Sequence, residues 1–323
     1  MTDPTAAPRP ASPADGAAAI HIANAPVSFG VDELLPDDAW MPQPDEVIDL
    51  IAELDYAGTE LGPPGFLGEP SAVRSRLAER KLELVGSFLP VNFSDEARCE
   101  DDLRWLREVL PTVRESAPDP TSVMAILSDG FEAPERLEFA GRIPEHPEAR
   151  LSEDRWPVLM ANLHRAAQIC RDAGFRVSIH PHAGTYLETE AEIRRMMDGL
   201  DTSLLGLCLD TGHVRFGGGD PVALARDYAG QIVHVHLKDC SARVLRDVAA
   251  TGGGMEEQLR AGAFVDLGEG DSHIADVIEV LRGRGYAGWM VVEQDVRLLG
   301  TDTVDRLRTS QRKNRAFLRN LGL

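Results

Sequence analysis

LGLCLD (205–210) and IVHVHL (232–237) are two short runs that are apolar at nearly every second position or more, joined by the glycine-rich stretch TGHVRFGGGDPVALARDYAGQ (211–231). Runs of this kind suit strands buried on both faces of a parallel sheet, where neighbours are joined by helical crossovers. The first ends in Asp210 and the second carries His234 and His236. Working outward, six more runs share the character: Ile20–Asn24 (IHIAN), Gly58–Leu61 (GTEL), Leu82–Phe88 (LELVGSF), Ser122–Leu127 (SVMAIL), Arg176–His180 (RVSIH) and Trp289–Glu293 (WMVVE). Helical patterns separate them, among them PDEVIDLIAELDYAG (44–58) and DRWPVLMANLHRAAQICRDAG (154–174). In the second, Leu159, Leu163, Ala166, Ala167 and Cys170 recur at three- and four-residue spacing, with Gly174 as the stop. Eight βα units in 323 residues predict an α/β fold, a single (β/α)8 TIM barrel over residues 20–323, rather than an open sheet.

Two long polar stretches interrupt the rhythm, residues 128–151 after the fourth run and residues 239–271 after the seventh. On a barrel both fall on the C-terminal face, where long βα loops cover a substrate. Residues 1–19 hold seven Ala and four Pro and lack the basic and apolar regions of a signal peptide, so they read as a disordered leader. No segment approaches the roughly 18 apolar residues of a membrane span, and the four cysteines have neither metal-ligand nor redox spacing. A cytoplasmic protein with reduced thiols is expected, with Cys208 as core filling. The net charge of −20 argues against a nucleic-acid substrate and against anionic membranes.

Chemistry gathers where the runs end. Asn24, Glu60, His180, Asp210, His236 and Glu293 stand at or beside strand ends, and barrel active sites are assembled at that rim. Five of the nine histidines (180, 182, 213, 234, 236) lie within 57 residues. His234 and His236 share a strand face, which puts His234 one layer deeper, as support for the site or as core. Two imidazoles (His180, His236) and two carboxylates (Asp210, Glu293) suit one divalent metal ion, Mn²⁺, Co²⁺, Fe²⁺ or Zn²⁺, with Mg²⁺ a poorer match. Such an ion polarises a carbonyl and stabilises the enolate left when a neighbouring C–H is deprotonated. Glu60 either meets a substrate hydroxyl or acts as a base, or else pairs with a rim Lys or Arg. Glu188 and Glu190 read as helix N-terminal charges.

At these residues the chain resembles the xylose isomerase-like barrel superfamily of sugar phosphate isomerases and epimerases, and is most similar to its inosose dehydratase branch. The carrying segments are HPHAGTYLETEAEI (180–193), LGLCLDTGHVRFGGGDPVAL (205–224), IVHVHLKDC (232–240) and GYAGWMVVEQD (285–295), with weaker echoes at 23–31 and 56–67. The resemblance implies His180, Asp210, His236 and Glu293 as metal ligands. It implies catalytic roles for Glu293, His180, His213 and Lys238, and substrate contacts for Glu60, His182, His213 and Lys238. Lys238 would neutralise a developing oxyanion or hold a carboxylate, unless it forms a rim ion pair with Asp239 or another acid.

Epimerases of the superfamily carry Glu on the fifth strand, giving two opposed carboxylates. His180 stands there instead, which turns the expectation toward elimination of water from a small keto-sugar or keto-inositol through an enolate. Ketose isomerisation or 3-epimerisation is the alternative. A non-catalytic sugar-binding subunit and an AP endonuclease are remoter, the latter needing more ligands and a basic surface. Working partners implied are the small-molecule substrate, with either a homodimer or a complex with a sugar oxidoreductase.

Overall fold

The computed structural model describes residues 19–31, 41–298 and 303–323. The leader expected over residues 1–19 lies outside them apart from Ala19. Among the described residues ten strands are formed: β1 (Ile20–Asn24), β2 (Gly58–Glu60), β3 (Glu83–Val91), β4 (Met124–Asp129), β5 (Arg176–Ile179), β6 (Gly206–Asp210), β7 (Ile232–Leu237), β8 (Asp239–Cys240), β9 (Phe264–Val265) and β10 (Gly288–Val292). Eight of them close a parallel barrel in the order β1-β10-β7-β6-β5-β4-β3-β2, and β8 and β9 make a separate antiparallel pair. Every sequence run therefore supplies a barrel strand. The fourth is displaced by two residues, because Met124–Asp129 pairs with Gly86–Val91 along the whole of its length. The β8–β9 ribbon was not expected. It is two residues a side, too short to leave a period-2 signature.

Alternation along the strands divides the core. Ile22, Met290 and Val292 point outward into the large cluster shared with helices, whereas Ala23, Val85 and Val291, with Ala25 just past β1, form a small cluster inside the barrel. Met124, Ile126 and Cys208 form a second. The helix Trp156–Asp172 buries Leu159, Leu163, Ala166, Ala167 and Cys170, the five positions its spacing marks, and Gly174 follows in the left-handed region (φ 85°). All four cysteines are buried and free. Among the described residues, no helix is long and apolar enough to cross a membrane.

Both long stretches lie over the C-terminal mouth, and both carry structure of their own. Residues 128–151 contain the helix Pro134–Glu138 and two 3-10 turns; residues 239–271 contain β8, β9 and the helices Ala242–Ala249 and Met255–Arg260. They pack on each other through Ala140, Met255, Leu259 and Phe264, with Leu137 against them. Asp239 organises the second stretch, accepting from the backbone N–H groups of Gly268, Gly270 and Ser272.

The C-terminal helix Val304–Asn320 fastens the seam between the first strand and the last. Asn24 Nδ2 donates to Gln311 Oε1 at 2.8 Å, and Gln311 Nε2 donates to Gln294 Oε1 at 3.2 Å. Asn24 thus ends β1 as a structural residue, turned to this helix instead of into the mouth.

Candidate active site

β6 ends in Asp210, and the chain turns at once into the helix Thr211–Phe216. Asp210 is the N-cap of that helix: its Oδ1 accepts from the His213 N–H at 2.8 Å, satisfying an orphan donor and leaving Oδ2 for the mouth. Around Oδ2 stand His180 Nε2 at 3.3 Å, Lys238 Nζ at 3.5 Å and His236 Nδ1 at 3.6 Å. Glu293, one residue past β10, brings Oε2 to 3.0 Å from His236 Nδ1 and 3.1 Å from Lys238 Nζ. The ligand atoms of His180, Asp210, His236 and Glu293 all fall within 4.8 Å of one another, and all four residues are buried.

The donors fit a bound cation better than one another. His180 Nδ1 and His236 Nδ1 are buried without a hydrogen-bond partner. His236 Nδ1 is close to two carboxylate oxygens, but off the hydrogen-bond axis, as when lone pairs aim at a common point. Its far nitrogen is fixed: Nε2 lies 3.0 Å from Glu60 Oε1, so a proton on Nε2 leaves Nδ1 free to ligate. His234 Nε2 reaches the same oxygen at 2.9 Å from one layer below, which answers what this histidine does. Gly86 on β3 makes room, since a Cβ there would lie 3.1 Å from Glu60 Oε1 and 2.7 Å from Ile126 Cδ1. Glu60, expected to meet substrate or a rim Lys or Arg, gives its Oε1 to two imidazoles while still lining the cavity.

Lys238 does not pair with Asp239. Its Nζ lies 2.7 Å from Asp295 Oδ1 and 2.9 Å from His213 Nε2, besides Glu293 and Asp210. Burial alone would lower the lysine, yet the carboxylates of Asp210, Asp295 and Glu293 hold it well above its ordinary range, as an ammonium. Burial alone would likewise raise Glu293, but His236 and Lys238 hold its carboxyl below the usual range. Burial depresses His182 and His213, and the nearby Lys238 adds to this, so both rings are neutral. Gly212 lets the lysine in: a Cβ there would lie 2.5 Å from Lys238 Cγ. Glycine in the DTGH turn thus leaves the space that the lysine of HVHLK occupies. Thr211 Oγ1 completes the link, donating to Lys238 O at 2.7 Å.

The cavity above, about 730 Å³ including its open mouth, is lined below by Glu60, His180, His182, Lys238, Glu293 and Asp295. Its walls are Pro26, Val27, Phe88, Phe131, Met255 and Leu259, with Arg297 at the rim in an ion pair with Glu256 (3.1 Å). Phe131 meets His182 edge-on at 4.8 Å and Phe88 meets His180 edge-on at 5.9 Å, fixing both rings. The fold thus gathers every one of the expected site residues. Asp295 was not foreseen, and its signal is the two-residue spacing from Glu293 in GluGlnAsp. The aromatic and aliphatic walls carry no mark in the sequence that separates them from core.

Glu188 departs from its expected role. It precedes the helix Glu190–Asp198, whose N-cap is Thr189, and its buried carboxylate accepts from Gly141 N (2.8 Å) and Gly184 N (2.7 Å). It therefore ties the stretch after β4 to the stretch after β5. Glu190 does sit in the first turn, paired with Arg194 at 2.8 Å.

Comparison with known proteins agrees with this architecture. The family model described as xylose isomerase-like TIM barrel matches residues 48–321. An inosose dehydratase of Geobacillus kaustophilus (strain HTA426) is 33% identical over 275 residues, covering 85% of this chain and 87% of that protein. One of Clostridium tetani (strain Massachusetts / E88) is 25% identical over 279 residues, covering 85% and 90%. Among solved structures, L-ribulose 3-epimerase superposes with a TM-score of 0.66 at 15% identity, covering 94% of each chain. The IOLI protein, solved with a zinc atom bound, superposes with a TM-score of 0.67 at 12% identity, covering 92% of this chain and 97% of its own. By sequence and by fold, the chain belongs to the xylose isomerase-like TIM barrel family.

Proposed function

We propose that this protein is a divalent-metal-dependent sugar-modifying enzyme that eliminates water from a small keto-polyol of the inosose type. The observation carrying this reading is the convergence of two imidazoles and two carboxylates at the barrel mouth, with a buried ammonium beside them. The similarity to inosose dehydratases over most of the chain supports the dehydratase choice. So does His180, which takes the place of one partner of a two-carboxylate epimerase pair.

His180, Asp210, His236 and Glu293 would hold the ion, whose chemistry is to polarise the substrate carbonyl and favour its enolate. A bound zinc in the IOLI protein is consistent with zinc, among Mn²⁺, Co²⁺ and Fe²⁺. Glu60 keeps His236 in the tautomer that ligates. Glu293 or His180 takes the proton from the carbon next to the carbonyl, and the electron pair of that C–H bond becomes the enolate. As the enolate collapses, the C–O bond at the β position breaks, and the hydroxyl leaves as water with a proton from Lys238. His213 and Asp295 hold the ammonium on that oxygen. His182 and the Phe88–Phe131 wall flank the ring and exclude water.

The test is metal analysis of purified protein followed by incubation with keto-inositols and ketoses in D₂O. A new enone or dione absorbance, with loss of both in Asp210→Ala/His236→Ala along with the metal, is the expected result. Full metal content in the double variant would sink the site. Deuterium uptake without water loss would replace dehydration by isomerisation or epimerisation, and retained metal with no exchange on any keto-polyol would point to a binding subunit.

A further inference from the structure

A second set of donors adjoins the first. Ligand atoms of His182, His213 and Asp295 also lie within 4.8 Å of one another, and His213 Nε2 is 4.0 Å from Asp210 Oδ2. Taken by themselves, the two sets describe a centre for two ions. Lys238 Nζ stands between them, 2.7 Å from Asp295 Oδ1 and 2.9 Å from His213 Nε2 on one side, 3.1 Å from Glu293 Oε2 and 3.5 Å from Asp210 Oδ2 on the other. Its stem crosses Gly212, and its ammonium lies 5.0 Å from the centre of the Phe264 ring, so packing holds it there.

Charge points the same way. Asp295 Oδ1 and His213 Nε2 already face the ammonium at 2.7 and 2.9 Å, so a divalent ion bound to them would meet a buried like charge at close range, which is costly.

We propose that Lys238 is a built-in second cation: its ammonium holds the place of a second divalent ion between the two donor sets and limits the centre to one ion per chain. The difference matters chemically, because an ammonium has protons to give to a leaving oxygen and a metal ion has none. The inference rests on the metal reading proposed above.

The experiment titrates metal-stripped wild type, Lys238→Ala and Lys238→Arg with Mn²⁺, counts bound ions after dialysis, and records electron paramagnetic resonance spectra. Wild type and Lys238→Arg, which keeps the charge, are expected to hold one ion with the spectrum of isolated Mn²⁺. Lys238→Ala is expected to hold two, with the spectrum of a spin-coupled pair, and adding His213→Ala should return it to one. Lys238→Ser serves if the alanine variant does not fold. One ion in the folded alanine or serine variant overturns this inference alone, as does a wild type that takes two. A wild type that takes none removes the metal reading, and this inference with it.

Discussion

Glu60 Oε1 is the common acceptor of His236 Nε2 at 3.0 Å and His234 Nε2 at 2.9 Å, so a residue of β2 sets the ring of a β7 histidine on the other side of β1 and β10. Carboxylates that orient a ligating histidine typically contribute 10–100-fold in metal affinity. Glu60→Ala should weaken Zn²⁺ or Mn²⁺ binding by about that factor, with Glu60→Gln intermediate, as measured by competition with a chelating dye. Unchanged affinity in folded Glu60→Ala would remove Glu60 from the metal site.

Gly212 and Lys238 make a second such pair. A methyl group at 212 would meet the lysine stem at 2.5 Å, and over-packing of this kind costs about 1–3 kcal/mol. Gly212→Ala should lower the melting temperature and cut kcat on the screened substrate more than it raises KM, since the ammonium is moved and the cavity is not. A variant with wild-type kcat would show that the lysine position is not critical.

The ion pair between Arg136 and Glu192 is bidentate, at 2.9 and 3.0 Å, and the arginine is fully buried. Removing one partner strands the other charge in the interior, so Glu192→Ala should cost about 3–5 kcal/mol in urea unfolding. A loss under 1 kcal/mol would mean that water reaches the guanidinium.

Glu188 gives a pH signature. Burial pushes its carboxyl up to about 7 from the ordinary 4.5, against the lowering pull of Arg136 and of the Gly184 and Gly141 amides. Between those values the folded protein keeps a proton that the unfolded chain has released. Its contribution to stability is therefore full below about 4.5, falls as pH rises to about 7, and is level beyond, a change of up to about 3 kcal/mol. Glu188→Gln lacks this dependence. The stability of wild type relative to that variant should decline between pH 5 and pH 7.5; a constant difference would contradict the assignment.

The barrel and its rim were legible because both depend on short-range pattern. Apolar runs of four to seven residues mark strands, and a polar residue at the end of such a run is placed beside the mouth. That logic located Asp210, His236 and Glu293. It misplaced Asn24, which closes its run identically but meets Gln311, some 287 positions away. It missed Asp295 because that residue lies two positions beyond Glu293, outside the apolar run and its closing residue. For Glu188, helix-end electrostatics supplied a sufficient local reason, and only the loop contact at Gly141 shows the actual one. Whether a carboxylate serves substrate, metal or another side chain is decided by partners distant in sequence, as Glu60 shows with His234 and His236.

The pairing of β1 with β10 bears on the order in which this protein comes into being. The first barrel strand leaves the ribosome about 260 residues before its partner, which at typical rates is a delay on the order of tens of seconds. Glu293 and Asp295 arrive only with that late strand, and the helix that clasps the seam comes later still. His180, Asp210 and His236 are therefore made well before Glu293, and the proposed four-donor set is complete only when the strand that closes the barrel has been added.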